Sequence, residues 1–204
     1  RRSLGIRKKL LFSLTAVCAC FLLLEGLLAL SGVQPVLYEQ DPYVGFSSYV
    51  PLFVESTDDE GRAVMMTAPN KRLHFNEQQF PREKAPDVTR IFCLGGSTVQ
   101  GRPYQPPTAF STWLELSLQA ADPSRQWEVV NCGGVSYASY RLVPILEEVL
   151  EVARHRALVL IEIKAEFIAE RLLSIVDDMS AESQVIIQSF NPQTVQRIKL
   201  LNPA

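Results

Sequence analysis

Polar and apolar positions divide the chain into three regimes. From Leu10 to Leu30 the sequence is apolar for 21 residues with a single acid, Glu25, and Arg1, Arg2, Arg7, Lys8 and Lys9 precede it. A helical run of that length spans the hydrocarbon core of a bilayer, and the basic flank (1–9) predicts a cytoplasmic N-terminus with the remainder extracytoplasmic, periplasmic if the source is bacterial. A signal anchor over 10–33 is expected rather than a cleaved signal peptide, because the run is long for one and no small-x-small site follows it. Glu25 is expected near the outer interface or against another helix, since a carboxylate at mid-bilayer is costly.

Between 34 and 87 the pattern loses its period. The stretch is rich in Pro, Asp, Glu, Asn and Gln, yet Tyr38, Tyr43, Phe46, Tyr49, Phe53, Phe75 and Phe80 are spread through it. A flexible linker would be poor in aromatics, so extended pieces and turns wrapping a neighbouring layer are expected, with one or two strands in Val64 to Phe80. His74 lies here and reads as a surface or turn histidine.

From Val88 onward strand and helix periods alternate. Val88 to Leu94 and Gln126 to Asn131 read as strands; Thr108 to Ala121 and Ser139 to Ala153 read as helices. The first helix should pack through Phe110, Trp113, Leu114 and Leu118. Such alternation implies parallel strands joined by right-handed crossovers, an α/β class of fold.

Composition adds little to this picture and removes several alternatives. The chain has 204 residues, 47% hydrophobic and 21% charged, with a formal net charge of -2, which fits one globular domain plus an apolar segment. No basic face is present, so no nucleic-acid partner is expected. The four cysteines, Cys18, Cys20, Cys93 and Cys132, are not in a metal-ligand spacing. Cys93 and Cys132 lie near the ends of two expected strands, where either buried thiols or a bridge between neighbouring strands could result. The chain starts at Arg1 without a methionine and stops just after an Asn-Pro, and is expected to be a fragment.

Candidate chemistry begins at Ile91 to Gly101 (IFCLGGSTVQG). An apolar strand that breaks at Gly95-Gly96 delivers the Ser97 hydroxyl to a turn beside free amides of a following helix, where a nucleophile would be placed. The same phrase also suits a plain strand-to-helix connection with a Ser/Thr cap. With NCGGVSYASY from Asn131, it resembles the first two sequence blocks of the SGNH (GDSL-like) hydrolases, and DPYVGF and FNEQQFPREK resemble the lead-in of their membrane-anchored bacterial members. The resemblance implies a flavodoxin-like parallel layer over 88–153. It also implies Ser97 as nucleophile of an acyl esterase that needs no cofactor, with oxyanion donors among the N–H groups of Ser97, Gly133, Gly134 and Ser136. A small ester is the implied substrate. The family's third-block Gly-x-Asn and its Asp-x-x-His are absent, and His155, in ARHRA at a helix end, reads as a solvated cation. By sequence the site has no general base.

Residues 154–204 follow a different model. IEIKAEF and IIQSF resemble the middle of glycerophosphodiester phosphodiesterases, and imply two strand-helix units like part of a TIM barrel. The resemblance implies Glu162 as a ligand to Ca or Mg and Lys164 as a cation toward a phosphodiester substrate; on a strand the two would share a face. That family's histidines and Glu-x-Asp pair have no counterpart here. PILEEVLEVA, Pro144 to Ala153, suits both families, so a chimeric join is expected near 144–157. The sequence therefore leads to a truncated or chimeric membrane-anchored SGNH-type esterase, inactive as it stands. The alternatives are a metal-dependent phosphodiesterase fragment and a non-catalytic anchored remnant, each sharing the bilayer as a partner through 10–33.

Overall fold

In the computed structural model, residues 5–32, 51–137, 139–154 and 156–202 are described, and they belong to two units, Arg1–Asp41 and Pro42–Ala204, taken separately here. The first holds helix α1 (Ile6–Leu30), 25 residues with no buried side chain. At about 1.5 Å per residue it is long enough, and apolar enough, to cross a membrane. It starts inside the basic flank, ahead of the apolar run, because Arg, Lys and Leu all favour helix and nothing after Gly5 interrupts them.

In the second unit four strands, β4 (Val88–Gly95), β5 (Gln126–Gly133), β6 (Leu158–Glu162) and β7 (Val185–Gln188), form a parallel sheet in the order β5-β4-β6-β7. The chain is thus α/β with a parallel layer, as the alternating periods imply. Helix α2 (Ser97–Gln100) follows β4 directly. Helices α3 (Phe110–Ala121), α4 (Ser139–Ala153), α5 (Ala169–Asp178) and α6 (Pro192–Leu201) complete the crossovers and the last turn of chain. The sheet is open, with β5 and β7 at its edges.

Alternation along the strands sorts the core into two layers. Phe92, Leu94, Val130, Cys132, Val159 and Ile161 pack with Leu146 and Val149 of α4 and Leu172 and Ile175 of α5. Ile91 and Cys93 pack the other way, with Phe110, Leu114 and Leu118 of α3 and with Trp127, Val129, Leu158 and Leu160. Trp113, expected in the α3 stripe, is 59% exposed. At about 100° per residue it stands roughly 60° behind Phe110 while Leu114 stands roughly 40° ahead, so it falls off the flank of the contact.

The same alternation decides the cysteines. Leu94 pairs in register with Cys132, and Cys93 with Asn131, so the two thiols project from opposite faces of adjacent strands and stay free and buried. Burial pushes Cys93 up to about 12 and Cys132 well above its usual value, which keeps both as inert thiols.

Residues 51–87, the described part of the segment before the sheet, are ordered. Strands β1 (Phe53–Thr57), β2 (Ala63–Thr67) and β3 (Gln79–Pro81) form an antiparallel sheet in that order. Leu52, Phe53 and Phe80 add to the larger core layer. Polar residues between β2 and β3 fasten this segment to the parallel layer. The Gln78 side chain accepts from the Asn131 amide at 3.1 Å and donates to the Asn131 carbonyl at 2.6 Å, as a backbone peptide would at the edge of β5. Asn76 donates to the Gln100 carbonyl at 2.9 Å and accepts from the Gln100 side chain at 2.7 Å, gripping the end of α2. Tyr38, Tyr43, Phe46 and Tyr49 lie outside the described residues.

Candidate active site

The carboxyl edge of β4 is built around residues that leave no space. A Cβ on Gly95 would fall 2.4 Å from Val99 Cγ2 and 3.0 Å from Glu162 Oε2, and one on Gly133 would fall 2.2 Å from the Gln100 amide nitrogen. Backbone therefore packs on backbone where β4, α2 and β5 meet. Gly96 is extended (φ -84°, ψ -153°), so the chain breaks out of the strand and turns at once into α2, which Gly101 ends in the left-handed region at φ 108°. Ser97 is the first residue of α2 and is half-buried. By position its amide has no carbonyl within the helix to bond, which leaves it available to an incoming oxygen.

Asn131, at the end of β5, braces this turn. Its Nδ2 donates to the Val99 carbonyl and to Ser111 Oγ, both at 2.8 Å, and its Oδ1 accepts from the Gly133 amide at 2.9 Å. The Gly134 amide donates to the Gly95 carbonyl at 3.0 Å. Two of the amides considered as oxyanion donors are thus used inside the fold. Ser136 sits at φ 61° and is exposed, and among the described residues its amide makes no hydrogen bond.

His74 is buried, not at the surface. Its carbonyl accepts from the Val135 amide at 2.8 Å and its ring meets that of Tyr137 edge-on at 5.9 Å, so it supports the turn after β5. His155 lies outside the described residues.

The structure brings Glu162 and Lys164 to the same edge as Ser97. β6 lies beside β4, with Ile161 opposite Leu94, which sets Glu162 against Gly95 and Lys164 against Gly96. The strand ends at Glu162, and the two side chains still converge, with Lys164 Nζ 3.9 Å from Glu162 Oε2. Lys164 Nζ also donates to Thr98 Oγ1 at 2.7 Å. Glu162 is 4% exposed, and neither carboxylate oxygen makes a hydrogen bond of good geometry among the described residues. Burial pushes its carboxyl above the usual range, against the smaller opposing pull of the Lys164 ammonium and the nearby Gly96 amide.

That shift gives a measurable consequence. A carboxyl raised by folding holds its proton more tightly folded than unfolded, so the contribution of Glu162 to stability is fully present below the unfolded value near 4.5 and is lost as pH climbs through the folded value. Glu162→Gln removes this loss. Its melting temperature is expected to exceed that of the parent at pH 8, with the gap closing toward pH 4. A gap that is constant or of opposite sign across that range would contradict a raised carboxyl.

Glu162 as a ligand for Ca or Mg can be tested on the donors present. Such ions take six or more oxygens, whereas the nearest charged group here is an ammonium, and among the described residues no three His, Cys, Asp or Glu gather into a site. These residues do not fit a divalent cation. The chain matches no protein-family model, no curated protein and no solved structure.

The contacts of Thr98, Asn131, Gln78 and Asn76 were not read from the sequence. Asn131 had a visible signal, a polar amide at the end of an otherwise apolar strand; the others depend on which loops meet in space.

Proposed function

We propose that this chain is a membrane-anchored serine acyl hydrolase of SGNH type in ancestry, centred on Ser97 and lacking the family's histidine base, so that it takes an acyl group but turns over poorly. What carries the reading is the placement of Ser97: half-buried, first in α2, at the carboxyl end of the inner strand β4. In open parallel sheets this edge is where ligands bind. Strand order β5-β4-β6-β7 is that of a flavodoxin-like layer, which supports the SGNH resemblance for 88–153.

The strand-helix units after residue 154 resemble part of a phosphodiesterase barrel, and here they extend the same open sheet. A divalent-ion phosphodiesterase would require further oxygen ligands around Glu162, so the esterase reading is preferred. α1 supplies the anchor, and the basic flank argues for a cytoplasmic N-terminus with the sheet beyond the membrane.

Hydrolysis of p-nitrophenyl acetate by the full chain in detergent micelles tests this. A burst of nitrophenol approaching one equivalent, followed by a much slower release, is expected, and Ser97→Ala should abolish the burst. Release that is identical in parent and Ser97→Ala would refute it.

A further inference from the structure

We propose, resting on the acyl-transfer reading above, that Lys164 is the donor that stabilises the oxyanion formed at Ser97, with Glu162 the residue that positions it. When Ser97 Oγ adds to an ester carbonyl, one C–O bond forms, the hydroxyl proton passes to water, and the carbonyl oxygen takes a full negative charge. Collapse expels the alkoxide, which takes a proton from water, and leaves the acyl group on Ser97. The negative oxygen needs fixed donors at about 3 Å.

The Gly133 and Gly134 amides are engaged by Asn131 Oδ1 and the Gly95 carbonyl. Lys164 stands on the other flank of the turn. Its Nζ is 3.4 Å from where a Cβ on Gly96 would lie and 2.7 Å from Thr98 Oγ1, so the ammonium lies beside the two residues that flank Ser97 in the chain. The Lys164 side chain is 46% exposed, so its ammonium can meet a ligand arriving from solvent. It has three protons to give, and Thr98 takes one.

Glu162 explains why the ammonium stays there. A buried carboxylate short of well-formed hydrogen bonds is expensive unless a cation is near, and Lys164 is the cation at 3.9 Å. Glu162 is the last residue of β6 and Lys164 follows two residues on, with the Ile163 amide between them donating to the Gln188 carbonyl at 2.9 Å, so the backbone that carries the pair is tied to β7. A lysine donating to Thr98 beside a carboxylate is a charged donor, which suits oxyanion binding and not proton removal from Ser97.

The test uses phenylboronic acid with the full chain in detergent micelles, read by boron-11 NMR. Addition of Ser97 Oγ to boron gives a four-coordinate anion and releases one proton to solvent, which mimics the tetrahedral intermediate without requiring turnover. The parent is expected to form the adduct and Ser97→Ala to form none. Lys164→Met should raise the dissociation constant by about 100-fold or more, and Lys164→Arg should recover part of the loss. Thr98→Val, which leaves the ammonium in place but removes its guide, should weaken the adduct by a few-fold while melting unchanged, and this variant keeps the test decisive if Lys164→Met does not fold. No Ser97-dependent adduct in the parent would overturn the acyl-transfer reading itself. A Ser97-dependent adduct equally tight in Lys164→Met, or in Thr98→Val should that be the variant that folds, would overturn the role of Lys164 alone.

Discussion

Glu148→Ala is expected to lower the melting temperature of the full chain in detergent micelles by on the order of 10 °C. Glu148 lies on α4, and its carboxylate accepts from the Leu52 amide at 2.6 Å and the Phe53 amide at 2.8 Å, tying the entry to β1 onto the helix. Burial pushes its carboxyl up, with those two amides and the Lys71 ammonium opposing. Lys71 is 1% exposed, and burial pushes its ammonium the opposite way, with Glu148 opposing. Removing Glu148 therefore leaves the Leu52 and Phe53 amides without their acceptor and takes away a negative charge that favours the buried Lys71 ammonium. A buried donor left without its acceptor costs about 1–3 kcal/mol, and two are left here. Glu148→Gln, which retains an acceptor, should lose less, and alanine at the exposed Glu151 should change little. Equal melting of the Glu148→Ala and Glu151→Ala chains would refute this role of Glu148.

The second large effect falls on the turn itself. Gly133→Ala puts a methyl carbon 2.2 Å from the Gln100 amide nitrogen and 2.6 Å from the Val99 carbonyl carbon. Both are backbone atoms, so no side chain can rotate away, and α2 has to move. Overpacking of this kind costs about 1–3 kcal/mol and more where backbone must shift. Because Asn131 joins the Gly133 amide to the Val99 carbonyl, displacement of one carries the other and with it Ser97. The expected result is a fall of several degrees in melting temperature together with loss of most of the nitrophenol burst. Gly61→Ala, at an exposed turn with nothing within 4 Å and φ +77°, is the comparison, with a smaller thermal loss and an intact burst.

Periodicity made the parallel layer legible before any coordinates. Apolar runs ending in Gly95 and Gly133, and stripes such as Phe110-Leu114-Leu118, report burial directly because the period of the pattern is the period of the backbone. Ser97 was legible for the same reason, as the hydroxyl that follows a strand broken by two glycines. The partners of that turn were not. Gln78 acts as an edge peptide of β5 from 53 positions away, and Lys164 meets Thr98 across 66, and no local pattern encodes either meeting. His74 read as a surface or turn residue because the stretch around it has no regular period, yet Tyr137 and the turn after β5 cover it.

Glu162 and Lys164 show how topology changes the meaning of a motif. Read along the strand, they form a same-face pair. Placed at and just past the end of β6, beside β4, the same pair faces Gly95 and Gly96, the two residues before the serine. The turn after β4 and the chain after β6 thus meet at one sheet edge, joined there by the hydrogen bond from Lys164 to Thr98.

Peptide mapping by mass spectrometry, after brief exposure of the full chain to p-nitrophenyl acetate, puts the matter most directly. The chain is expected to carry one acetyl group on the peptide containing Ser97, at that residue and not at Thr98. Acetyl found on Lys164 or on scattered surface lysines, with Ser97 unmodified, would contradict it.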